Sequence, residues 1–125
     1  MTMGLHKNIL VVDDNQDVAD TTAFLLQAYG FSVSVAYGGP EALAIARVVH
    51  PDLVFLDIGM PIMDGYEVAR RLRADAKLCK AKLVAFTAWG DEASRLQAKA
   101  AGFDLHLMKP SNVSEIIAAA TMESA

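Results

Sequence analysis

The chain has 125 residues, a formal net charge of −4, 54% hydrophobic residues and a single cysteine. That size and apolar content suit one domain, residues 1–125, with a packed core. An internal disulfide is excluded, no apolar run reaches the ~20 residues of a membrane span, and no basic cluster favours direct nucleic-acid binding. Met1–Lys7 lacks the long apolar stretch of a secretory signal, and one cysteine suits a reducing compartment, so a cytoplasmic location is expected.

Strand-like and helix-like stretches alternate along the chain, the pattern of an α/β fold with a parallel sheet. The first strand candidate is Asn8–Val12, followed by a helical stretch near Gln16–Tyr29. In that helix Val18, Thr22, Leu25 and Tyr29 form the expected core stripe. Gly30 suits a left-handed residue past the helix end. Ser32–Ala36 alternates polar and apolar, as an edge strand would. A second helix is expected over Pro40–Val49, stopped at His50 because the residue before Pro51 avoids the α region. Leu53–Leu56 is a continuous apolar run, and a third helix follows near Gly65–Ala74, with Asp64 as a turn and cap residue. Lys82–Phe86 is again continuously apolar, and a helix near Asp91–Ala101 ends at Gly102. Leu105–Met108 alternates briefly, and a last helix near Val113–Met122 opens on Asn112 and Glu115, a capping-box pair. The six methionines are most simply core packing, and Cys79 has no motif near it.

Continuous apolar strands are covered on both faces and sit centrally. The half-polar second and fifth strands belong at the edges. The expected architecture is therefore a doubly wound (βα)5 sandwich, flavodoxin-like, with a five-stranded parallel sheet in the order 2-1-3-4-5. Right-handed crossovers send every strand C-terminus to one edge. Four strands end there in chemistry: Asp13-Asp14, Asp57, Thr87 and Lys109.

Three crowded carboxylates raise one another's pKa unless a cation intervenes. A hard divalent ion with oxygen ligands resolves the conflict. Mg²⁺ is favoured, with Mn²⁺ as an alternative, because it leaves positions open for water and phosphate. A carboxylate can attack phosphorus, a lysine offers a point charge to a phosphoryl oxygen, and a threonine hydroxyl can donate to another. No general base for rapid hydrolysis is evident, which suits a site that holds phosphate. Singly, each residue has a plainer reading: Asp13-Asp14 as a helix cap, Asp57 as a turn residue, Lys109 as a solvated lysine.

The segments VVDDN around Asp13-Asp14, LDIGMPIMDG around Asp57, FTA around Thr87 and MKP at Lys109-Pro110 resemble a two-component response-regulator receiver domain of the CheY-like kind. The resemblance covers nearly the whole chain in order and spacing. It implies a phosphoacceptor of a two-component phosphorelay. Asp57 would take the phosphoryl group from a phosphohistidine of a sensor histidine kinase or a histidine phosphotransfer protein. Asp14 and Asp57 would ligate Mg²⁺ directly, Asp13 through water, and the Gly59 carbonyl would add a ligand. Lys109 and Thr87 would bind phosphoryl oxygens, and Lys109-Pro110 would be a cis peptide. Such a module is no enzyme in the ordinary sense, although it catalyses its own phosphorylation and slow dephosphorylation.

His106 departs from the pattern, which usually places an aromatic there as a side chain that moves when the threonine shifts. It is read either as a weakly coupled switch and partner-surface residue or as an exposed edge-strand histidine. Trp89 and Gly59, two residues beyond Thr87 and Asp57, would border the phosphoryl group, with Trp89 equally readable as a docking aromatic. The segment GFDLHLMKP also resembles receivers attached to hybrid sensor kinases, so the chain is read as a single-domain regulator or as part of such a kinase. Its output partner is unknown, only one helix-length segment follows Lys109-Pro110, and a monomer or weak dimer is expected. Two other classes compete. A haloacid-dehalogenase-type phosphatase would want Asp-x-Asp where Asp13-Asp14-Asn15 stands. A flavodoxin would want Ser, Thr and Gly in the first loop.

Overall fold

A computed structural model describes residues 7–88 and 90–121. Five strands alternate with five helices: β1 (Asn8–Val12), α1 (Gln16–Ala28), β2 (Ser32–Ala36), α2 (Gly39–Val49), β3 (Leu53–Asp57), α3 (Gly65–Ala74), β4 (Lys82–Thr87), α4 (Glu92–Ala101), β5 (Leu105–Met108) and α5 (Val113–Ala120). The sheet order is β2-β1-β3-β4-β5, every pairing is parallel, and the order reverses between β1 and β3 as expected.

Alternate residues of the three central strands feed two separate cores. Leu10, Val12, Val54, Leu56, Leu83 and Ala85 face α2, α3 and α4. Ile9, Val11, Leu53, Phe55, Val84 and Phe86 face α1 and α5. All five residues of β3 are buried, whereas β2 and β5 are mostly half-exposed, in keeping with their place at the edges. Burial of these aliphatic side chains, at about 25 cal/mol per Å² of apolar surface, is what holds the sheet rigid.

Side-chain caps set the helix starts. Asn15, Asp64, Asp91 and Asn112 each accept a hydrogen bond from a backbone N–H of the first turn, and Asn112 with Glu115 completes the capping box. Gly102 ends α4 in the left-handed region, and Gly30 also has positive φ. His50 ends α2 outside the right-handed α region, as expected before Pro51: it is a left-handed cap with φ 49°, its N–H donating to the Ala46 carbonyl.

Two expectations are corrected. The buried face of α1 is Ala19, Thr22, Ala23 and Leu26, while Tyr29 is exposed and Val18 and Leu25 are half-buried. Small alanines let α1 approach the sheet closely, so the larger residues lie on its flanks. Among the methionines, Met60 is core but Met108 is exposed; Met1, Met3 and Met122 lie outside the described residues.

The strand limits matter most for chemistry. β3 and β4 each run one residue further than the apolar pattern suggests, so Asp57 and Thr87 are the last residues of their strands. Asp57 is in register with Phe86, and Thr87 with Met108. Gly65, the first residue of α3, folds back onto this strand end: its N–H donates to the Ile58 carbonyl at 2.9 Å. A Cβ at Gly65 would overlap the Asp57 carbonyl oxygen and the Ile58 Cα. Gly65→Ala is therefore expected to destabilise the fold by about 1–3 kcal/mol in urea unfolding, through overpacking. An unchanged midpoint would mean that the loop yields freely.

Candidate phosphoacceptor site

The three aspartates converge where the sheet order reverses, as the topology requires. Asp13, Asp14 and Asp57 each offer a carboxylate oxygen, all within 4.8 Å of one another. Asp13 and Asp57 are buried, with 1% and 6% exposure, and Asp14 is open to solvent. Asp13 is tied into the loop after β1: its N–H donates to the Ala36 carbonyl at 3.1 Å, and its Oδ1 accepts from the Asn15 N–H at 2.9 Å. The capping role that could have belonged to an aspartate is filled by Asn15, whose Oδ1 accepts from Val18 N–H. That leaves the acids for other work.

Lys109 arrives from the end of β5, with its ammonium 2.7 Å from Asp13 Oδ2 and 3.2 Å from Asp57 Oδ1. The contact with Asp13 Oδ2 is close, but its angle is not that of a hydrogen bond, so this buried oxygen lacks a directed donor. At 2.7 Å the two groups form an ion pair whatever the angle. Thr87 is buried beside it, and its carbonyl accepts the Lys109 N–H at 2.7 Å. The Lys109-Pro110 bond is cis, as expected.

Phe86, read from the sequence only as core, also lies under the lysine, with the ammonium 5.8 Å from its ring centroid. Its ring packs at 6.2 Å, tilted, against Phe55. Phe86 precedes Thr87 and is in register with Leu107, two residues before Lys109, a pairing that only the structure supplies. The Gly59 N–H points back to Asp57 Oδ1 at 3.3 Å. Trp89 lies outside the described residues.

Electrostatics follow from this geometry. Burial, then the Asp13 charge, push Asp57 up to about 6, with Lys109 pulling the other way. Burial pulls Lys109 down, but the close Asp13 carboxylate and the charge of Asp57 outweigh it and raise its value. One cation among three carboxylates leaves an excess of negative charge. The undirected Asp13 oxygen and the all-oxygen donor set fit a hard divalent cation.

His106 stands apart from this cluster. It is half-buried on the α4 face of β5, in register with Ala85, and its Nε2 is buried without a hydrogen-bond partner among the described residues. Burial, then the Arg95 guanidinium, hold it below the usual histidine value. It borders a cleft of about 600 Å³ whose walls include Arg95, Leu96 and Phe103 and none of the acidic cluster.

With this geometry in view, the chain matches the response regulator receiver domain model over residues 9–121. The chain belongs to the response-regulator receiver family. It is 36% identical over 114 residues to the DNA-binding response regulator MtrA of Mycobacterium tuberculosis, covering 91% of this chain and 49% of that protein. It is 34% identical over 110 residues to the transcriptional regulator RpaA of Synechocystis, covering 88% and 46%. The chain thus spans about half the length of these curated relatives. Among solved structures, Vibrio cholerae chemotaxis protein CheY4 superposes with a TM-score of 0.87 at 27% identity, over 90% of this chain and 94% of that one. The signal receiver domain of a histidine kinase from Syntrophus aciditrophicus superposes at 0.83 with 25% identity, over 91% and 86%. The receiver is a signalling module of two-component systems, and no described helix is long and apolar enough to cross a membrane.

The raised Asp57 value has a measurable consequence in chelator. Its folded value lies above the unfolded 3.8, so its contribution to stability is full below 3.8 and is lost as pH rises through about 6. At about pH 7.5 the ionised group opposes folding. Asp57→Asn is expected to raise stability there by about 1–3 kcal/mol, and to leave it nearly unchanged at about pH 3.5. Urea unfolding at the two pH values checks this; a less stable variant at the higher pH would contradict it.

Proposed function

We propose that Asp57 accepts a phosphoryl group from a phosphohistidine on a sensor histidine kinase or histidine phosphotransfer protein, and that the modified domain then changes its partner binding. The observation that carries this reading is the buried Asp57 carboxylate at the end of β3, set between the Asp13-Asp14 pair and Lys109. In the transfer an Asp57 oxygen forms a bond to phosphorus as the phosphorus–nitrogen bond breaks. The protonated phosphoimidazole leaves as neutral imidazole, so no acid from this chain is needed.

Asp13, Asp14 and Asp57, with the Gly59 carbonyl, would hold Mg²⁺, or Mn²⁺ in its place. Bound there, the ion supplies charge neutralisation that lets an anionic phosphoryl group approach a carboxylate. Lys109 exchanges its contact with Asp57 for one with a phosphoryl oxygen, keeping Asp13 as its second anchor. Thr87, at the matching level of β4, offers its hydroxyl to another oxygen. No histidine, glutamate or lysine other than Lys109 enters the described cluster, so nothing positions water for fast hydrolysis. The acyl phosphate is therefore held and only slowly lost, and the domain is a switch that catalyses its own modification. Residues 1–125 form one receiver unit, acting in the cytoplasm either alone or as part of a hybrid kinase.

Incubation with acetyl phosphate and Mg²⁺, followed by intact mass measurement, tests the assignment. The wild type gains one phosphoryl group, Asp57→Ala gains none, and excess EDTA suppresses the gain in the wild type. A gain in both proteins would place the acceptor elsewhere.

A further inference from the structure

His106 is seated in a way that suits only its neutral form. The residue is half-exposed, yet its Nε2 is buried and meets no donor or acceptor among the described residues. A neutral imidazole carries one N–H, which can sit on Nδ1 and leave Nε2 as a bare lone pair. An imidazolium carries an N–H on both nitrogens. Here one of them would be a buried, charged donor with nothing to receive it, which costs far more than an unused lone pair.

Among the described residues, no neighbouring charge relieves this. Asp104, just before β5, is engaged by the Arg73 guanidinium and the Leu83 N–H. Asp91, at the start of α4, is engaged by the Ser94 N–H and hydroxyl. Glu92 shares the cleft with His106 but is exposed, where solvent weakens its pull. Arg95 and Lys99 of α4 border the same cleft, and both repel a cation. β4 places uncharged Ala85 in register with His106. Burial, then the Arg95 charge, accordingly disfavour the protonated ring, with Asp91 in partial opposition.

The cleft offers the way out. At about 600 Å³ it is wide enough to admit water, and its Glu92, Arg95 and Lys99 are exposed. A protonated ring is solvated by turning from its seat into that space. Ala98 lines the same cleft, and it is one of the two residues that α4 buries. Withdrawing the ring therefore takes support from a helix that has little other buried surface to hold it.

We infer that His106 is a pH-sensitive latch on the α4–β5 face: the neutral ring stays seated and holds α4 to the sheet, and protonation turns it into the cleft and loosens the helix. The inference stands apart from the phosphoacceptor reading, since it uses no residue of the acidic cluster. The sign follows from the seat. The folded chain binds the His106 proton less readily than the unfolded one. Its contribution to stability is therefore full above the ordinary histidine value of about 6.5, and it is lost as pH falls through the lower folded value.

The test is an NMR titration of the full chain from about pH 8 to about pH 5, following histidine rings and backbone amides. It is run in an Asp57→Asn background, which removes the carboxyl that titrates at about 6. His106→Phe in the same background assigns the His106 ring signal by its loss, with His106→Gln as a second variant in case Phe does not fold. The His106 midpoint should lie lower in the folded chain than in the same chain unfolded in urea. Amide shifts over Glu92–Ala101 and Leu105–Met108 should move with that midpoint, and α4 amides should exchange faster below it. Both changes should vanish when His106 is replaced. A folded midpoint equal to or above the one in urea would overturn the inference. So would α4 amides that stay still while His106 titrates, or shifts at that midpoint that persist in the substituted chain.

Discussion

Lys109 is the cation on which the arrangement of the site depends. Its ammonium bridges Asp13 and Asp57, two buried carboxylates from different strands, and without it their charges would face each other in a poorly solvated space. Yet one ammonium cannot balance three carboxylates. Burial, and then the Asp13 charge, accordingly raise the Asp57 value despite the lysine. A site with this imbalance favours added positive charge, and once that charge is present it can accept an anion that the acids alone would repel. The same crowding of buried carboxylates weakens the fold near neutral pH.

The sheet turns this local imbalance into something the rest of the molecule can sense. Thr87 and Lys109 are joined by a backbone hydrogen bond, Lys109 N–H to the Thr87 carbonyl, at the end of the β4–β5 pairing. The end of β4 is thereby tied to the end of β5. That strand has four residues, none fully buried, and α4 beside it buries only Ala98 and Ala101. Elements with little buried apolar surface open at low free-energy cost. β3, buried throughout, offers no such freedom. α4 and β5 thus carry much less buried surface than β3.

The fold and the acidic cluster were legible in the sequence because each depends on a strong, local signal. Continuous against alternating strands gave the sheet order, and charged residues at apolar strand ends gave the site. What stayed hidden was decided by packing. The core stripe of α1 read as Val18, Thr22, Leu25 and Tyr29 because bulk was taken as burial, whereas the alanines one position away bury more completely. The run MPIMDG announces a turn, but not that Ile62 takes the left-handed position. His50 was expected to leave the α region, as it does; its positive φ and cap bond to Ala46 were not legible. The role of Phe86 beneath Lys109 needed the register of β4 against β5.

The opposite end of the sheet is held by a different kind of cation. Arg73 on α3 reaches the N-terminal ends of β4 and β5, donating to the carbonyls of Cys79, Ala81 and Gly102 and to Asp104 at 2.6–3.0 Å. Asp104 in turn accepts the Leu83 N–H at 2.9 Å. Gly102 closes the arrangement: the Arg73 side chain fills the space a Cβ would need, and its positive φ of 111° suits glycine. A planar guanidinium with its donors satisfied is a stiff clamp, unlike a lysine shared between two acids. β4 and β5 are thus fixed to each other and to α3 where they begin.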